Sequence, residues 1–113
     1  MIQPQLVTNN PFFSRYQVIA DLGVVHGLVV RSRSVVGDFM GQLQQLFGGN
    51  ITIYQQLCEH ARSDAYQKML THAQQLGANA ISSVRYDTNE VWPGVTEVFC
   101  YGTACIVKKE ALD

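Results

Sequence analysis

Residues 48–80 read GGNITIYQQLCEHARSDAYQKMLTHAQQLGANA, and this stretch decides the fold. After the Gly48-Gly49 break, Thr52 and Gln55 stand at capping-box spacing, so a helix is expected from near Ile53. Tyr54, Cys58, Ala61, Ala65, Met69, Ala73 and Leu76 then recur at intervals of three or four, which puts them on one stripe. Most of the stripe is alanine or other small residues, so the helix can lie close against a sheet. Gly77 sits where a left-handed helix stop is expected, and the chain runs from there straight into a strand. These are caps and packing residues. They dictate shape and carry no catalytic pattern.

Working outward, AISSVRYD (80–87) reads as a strand and TNEVWPGV (88–95) as a loop with Pro93-Gly94 as its turn. TEVFCYGTACIVK (96–108) is the longest β-run in the chain. On the other side, Ser34 can cap a short helix over Val35–Phe47, where Val36, Phe39, Met40, Leu43, Leu46 and Phe47 keep helical spacing. Tyr16–Ser32 is rich in Val and Ile and is expected to form two strands broken at Asp21–Gly23, with Gly27 marking a bulge or a close backbone approach. Residues 1–14 are a polar arm with Pro4 and Pro11, residues 15–109 the domain, and residues 110–113 a tail. The order β-β-α-α-β-β predicts an α+β subunit, an antiparallel or mixed sheet packed on one long and one short helix.

A chain of 113 residues is long enough to bury one core. Its 47% hydrophobic content excludes disorder, and 15% charge is low for so small a surface, as expected if other copies cover part of it. The net charge of −1 gives no reason to expect nucleic acid or an anionic membrane as partner. No apolar run is long enough to span a bilayer and the first residues lack a signal-peptide pattern, so a cytoplasmic protein is expected. Three cysteines match no disulfide scaffold and read as reduced thiols.

GVVHG (23–27), the GG…Y…AR…A…M…A..LGANAI pattern of the central stretch, and YGTA (101–104) together resemble the YbjQ-like family. That is a bacterial family of uncharacterised proteins labelled as heavy-metal-binding. The resemblance runs over residues 12–108, with the N-terminal arm outside it. It implies a dodecin-like or YbjQ-like α+β subunit that assembles into a ring, typically a homopentamer, and a heavy-metal ion as the cofactor. It carries no ligand set, and Cys105 stands where the family commonly has Val after GTA.

A soft metal needs thiolates or imidazoles converging on one point. The candidates are Cys100, Cys105 and His26, but there is no CxxC or HxxxH pair. Cys100 and Cys105 are five apart on a strand, so they face opposite sides unless Gly102 makes a bulge. Cys58 falls in the apolar stripe and reads as a small buried hydrophobe. His26 shares a strand face with Val24, Leu28 and Val30, as a packed histidine would. His60 and Asp64 are set for an i,i+4 pair, and His72 borders the stripe.

Interface candidates are Arg31 and Arg33, which could line a pore, bind an anion across a subunit interface, pair between subunits with Asp38, Asp87 or Glu90 or simply form a solvated strand end, and the aromatics Trp92 and Tyr101. Arg62 is expected to pair with a neighbouring carboxylate. No phosphate-binding glycine loop or nucleophile elbow is present. The expected function is a non-enzymatic ring that binds a small ligand or metal ion between its subunits. Alternatives are a structural or protein-interaction module and, less favoured, an enzyme with an interfacial site.

Overall fold

The computed structural model describes residues 2–32 and 51–111, the side chains of 32 and 51–58 excepted. The short helix expected over 35–47, the Gly48-Gly49 break, Arg33 and Asp38 lie outside the described residues, as do the side chains of Tyr54 and Cys58 and of the expected capping pair. The described elements are a 3-10 turn at Pro4–Leu6, β1 (Tyr16–Ser32), α1 (Ile51–Gln75), β2 (Ala80–Trp92) and β3 (Val95–Lys109). The strands form one antiparallel sheet in the order β1-β3-β2.

Two expectations are corrected here. Tyr16–Ser32 is one strand of 17 residues, not two. Its pairing with β3 shifts register between Val18 and Ala20 and again between Asp21 and Gly23. Each shift is an extra residue absorbed as a bulge, with Gly23 taking a φ of 104° that bends the strand without ending it. The eight-residue loop over 88–95 is absent as well. β2 and β3 continue to Trp92 and Val95 and are joined by Pro93-Gly94 alone, with Gly94 at φ 79° as a tight Pro-Gly turn demands. A 17-residue strand at about 3.3 Å per residue spans roughly 56 Å, which accounts for the 60 Å long axis of the molecule.

α1 lies over β1 and β3. Ala61, Ala65, Met69 and Ala73 are buried beneath it, as their spacing predicts, while Leu76 is 44% exposed and ends the stripe early. The reason is the helix stop. Gly77 at φ 83° donates to Gln74 O (3.0 Å) and Ala78 to Ala73 O (3.1 Å), a Schellman pair that places Leu76 at the cap and not on the helix face. From the sheet, Val25, Val29, Val98, Cys100 and Ala104 meet the helix in one cluster with Ile81 and Val84. Burying Val25, Met69 and Ile81 completely contributes about 1.5–3 kcal/mol each.

Gly27 sets how close the layers come. A Cβ there would collide with the carbonyl oxygen of Ala65 and sit 2.6 Å from the Met69 amide nitrogen. Both obstacles are helix backbone, so neither can rotate away. The N-terminal arm completes a second, smaller cluster on the opposite side of the sheet, where Leu6 and Phe13 pack on Ala80, Cys105 and Val107. Gly27→Ala is therefore expected to destabilise the chain by about 3 kcal/mol, the upper end of ordinary overpacking, measured as a lowered urea midpoint. An unchanged midpoint would show that the layers are not in contact at this point.

Candidate functional site

Residues paired across an antiparallel ladder share a face, so the register assigns the side of the sheet for each candidate. Val25, Val29, Val98 and Cys100 face α1. Val24, His26, Leu28 and Val30 of β1 face the other way, opposite Thr103, Tyr101, Phe99 and Glu97 of β3. Tyr101, Phe99 and Glu97 are in turn opposite Arg85, Asp87 and Asn89 of β2, and Trp92 is opposite Val95. This second face is apolar along β1 and β3 and polar along β2. Val24 is 69% exposed, Trp92 71% and Val30 50%, with Leu28 also exposed. The arm covers only the end near Cys105 and Val107.

The rings on that face form a continuous run. Phe99 and Tyr101 stack at 5.1 Å, His26 lies 5.4 Å from Phe99, and His72 meets His26 edge-on at 5.4 Å. His26 is therefore a member of an aromatic row, in the setting its neighbours Val24, Leu28 and Val30 predict.

The free edge of β1 is closed by side chains of α1 set four residues apart. Asp64 takes the Arg31 guanidinium at 3.0 Å, Lys68 Nζ donates to Leu28 O at 3.2 Å, and His72 Nδ1 accepts the His26 N–H at 3.2 Å. His60 also reaches Asp64 at 3.5 Å, the expected i,i+4 pair. Within one chain the partner of Arg31 is Asp64; the expected pairing with Asp38, Asp87 or Glu90 is one between subunits. The helix crosses β1 at that height, and a short carboxylate on it is nearer than anything on the far strand. Arg62 has no carboxylate at ion-pair distance among the described residues.

The thiols do not converge. β3 keeps its register through Gly102, so Cys100 and Cys105 face opposite sides of the sheet in different clusters. Cys100 Sγ donates to Met69 Sδ at 3.6 Å and Cys105 Sγ to Ala80 O at 3.7 Å, both fully buried. Two sulfurs 3.6 Å apart could serve as two corners of a tetrahedral soft-metal site. No group of three or more His, Cys, Asp or Glu side chains that could hold an ion exists among the described residues, so the described side chains do not supply the remaining corners. A heavy metal does not fit the ligands that the described residues of one chain offer.

Burial pushes both thiols up, with a small opposing pull on Cys100 from Tyr86 and a further push on Cys105 from Asp21. Burial, aided by the Cys100 sulfur and Tyr66, pushes the Tyr86 hydroxyl up to about 12 against a downward pull from Arg62. Folded values above the unfolded ones of 9.0 and 10.0 mean that these groups support the fold fully below pH 9. That support fades as pH rises toward and through their folded values. We expect Cys100 and Cys105 to react slowly with a thiol-disulfide reagent at pH 7.5 and unfolding stability to fall above pH 9. Fast labelling of both thiols in the folded protein would contradict this placement.

Comparison with known proteins fits this architecture. A family model described as "Putative heavy-metal-binding" matches residues 5–108, which corrects the expectation that the arm lies outside the shared pattern, since Leu6 and Phe13 are core residues. A UPF0145 protein of Chromobacterium violaceum is 57% identical, covering 99% of this chain and 94% of its own. Another, of Burkholderia thailandensis, is 54% identical over 92% and 94%. The crystal structure of a protein of unknown function of the DUF74 family from Pediococcus pentosaceus shares the fold with a TM-score of 0.57 at 19% identity, covering 94% of this chain and all of that one. On the strength of the family match and these relatives, the chain belongs to the YbjQ-like, UPF0145 family.

Proposed function

We propose that this chain is the subunit of a non-enzymatic homo-oligomeric ring that works in the cytoplasm and holds a small ligand or metal ion between its subunits. The observation that carries this reading is the sheet face turned away from α1. Val24, Leu28, Val30, Phe99, Tyr101 and Trp92 make an apolar surface that no described element covers beyond the end under the arm. Contiguous apolar surface of this kind costs about 25 cal/mol for each Å² left in water, and it is rare on monomers. Aromatic residues at the centre with Arg85, Asp87 and Asn89 at one margin is the composition of an interface core and its rim.

The second support is the outer half of β2. From Arg85 to Trp92 the strand is exposed, and the arm pairs only with the part nearer Ile81. An open edge of that length is a template for another strand. A face on one copy meeting a different surface on the next makes a head-to-tail contact, and such contacts close into rings. A pentamer is the closure the family resemblance implies.

A ring also resolves the metal label. The described residues of one subunit offer no complete ligand set, and in a ring an ion would draw ligands from more than one copy around the axis. Two buried free thiols suit a reducing compartment. No helix among the described residues is long and apolar enough to cross a membrane.

Phe99→Lys places a charge at the centre of the face without touching the helix-facing core. Native mass spectrometry should find about five copies for the unaltered protein, as a closed ring requires, and single subunits for the variant. An unaltered protein that runs as a monomer would overturn the ring.

A further inference from the structure

The arm, α1 and β2 enclose a groove of about 480 Å³, open along one side and walled by Val7, Thr8, Tyr66, Val84, Arg85 and Tyr86. It is built from one subunit, and its Arg85 stands opposite Tyr101 at the margin of the aromatic row. Its walls are fixed by main-chain bonds: Thr8 N–H to Ile81 O (3.0 Å), Val84 N–H to Thr8 O (3.0 Å) and Ser83 N–H to Asn10 O (2.9 Å). Ser83 has a φ of 55°, a left-handed conformation unusual for a side-chain-bearing residue. The β2 register shifts between Ser82 and Arg85, the segment that turns Val84 into the core beside it.

The charge of this groove is unbalanced. Arg85 donates through Nη1 to Asn9 O (2.8 Å) and to Val84 O (2.9 Å). Two neutral carbonyls aim the guanidinium and leave its positive charge and remaining N–H groups available. No carboxylate lines the groove among the described residues. Arg62, also without a carboxylate partner among the described residues, is near enough to act electrostatically on Tyr86. Tyr66 and Tyr86 line the groove with their rings, the Tyr86 hydroxyl being engaged with the Cys100 sulfur, and Val7 and Val84 complete an apolar lining.

We infer that this groove binds a small organic monoanion, a carboxylate on a planar apolar body, with Arg85 holding the carboxylate and the tyrosine rings and valines contacting the body. A guanidinium fork matches a carboxylate with two parallel hydrogen bonds, and one cation suits one negative charge. The apolar walls select a body that a bare inorganic ion lacks. All of the groove's lining comes from a single chain.

The probe is benzoate, titrated into the full-length protein and followed by backbone amide NMR. Benzyl alcohol (the body without the charge) and inorganic phosphate (the charge without the body) are run in parallel. Saturable shifts at Thr8, Asn9, Val84 and Tyr86 are expected with benzoate, and much weaker responses with the other two. Arg85→Gln should bind about ten-fold more weakly, as loss of a charge-assisted hydrogen bond predicts. Tyr86→Ala removes a ring from the wall without disturbing the arm; it should weaken binding several-fold. The inference is overturned if benzoate gives no saturable shift, if benzyl alcohol or phosphate binds as tightly, or if both variants bind benzoate at full affinity.

Discussion

The contact between α1 and β1 at Gly27 governs the rest of the structure. Only a residue with no Cβ lets the Ala65 carbonyl and the Met69 amide approach the strand this closely. The alanine stripe of α1 follows from it, because larger residues at Ala61, Ala65 or Ala73 would hold the helix away. Once the helix is that near, Asp64, Lys68 and His72 reach over the free edge of β1 and satisfy Arg31, Leu28 O and the His26 N–H. An edge that would otherwise pair with another strand is closed by side chains. The open edge is thereby left to the outer half of β2.

A helix on one face assigns the opposite face a different duty. Val25 and Val29 are buried in the core, and their neighbours Val24, Leu28 and Val30 are equally apolar but exposed. Strict alternation would have made these positions polar on a monomer. The continuous apolar pattern of β1 is that of a strand covered on both sides. The same two-sidedness separates the soft ligands: Cys100 points to Met69 under the helix, and Cys105 to Ala80 under the arm. The fold itself keeps one subunit from assembling a thiolate site.

Features with a strong local cause were readable in the sequence. The helical stripe, the stop at Gly77, the close approach at Gly27 and the opposed thiols all follow from periodicity or from glycine. The continuity of β1 was not readable, because Gly23 punctuates equally as a turn or as a bulge, and only pairing with β3 decides between them. Thr88, Asn89 and Glu90 read as loop because they are polar, yet they are strand in a segment exposed on both faces. The arm read as polar because its three core residues, Ile2, Leu6 and Phe13, are scattered among polar neighbours without a regular period. The groove beside Arg85 left no sequence signal at all. Its parts come from residues 7–9, 66 and 84–86, joined only by the fold.

Membership of the UPF0145 family accounts for the fold and leaves the role of the exposed face as the central claim. Hydroxyl-radical footprinting of the native protein tests it directly, with Phe12 as an internal reference because it is 68% exposed and belongs to the arm, not to the strands that make that face. The account predicts that Trp92, Leu28, Phe99 and Tyr101 are protected well below the level expected for the isolated subunit, while Phe12 is oxidised readily. Oxidation of Trp92 and Leu28 in proportion to their exposure on a single chain would contradict it.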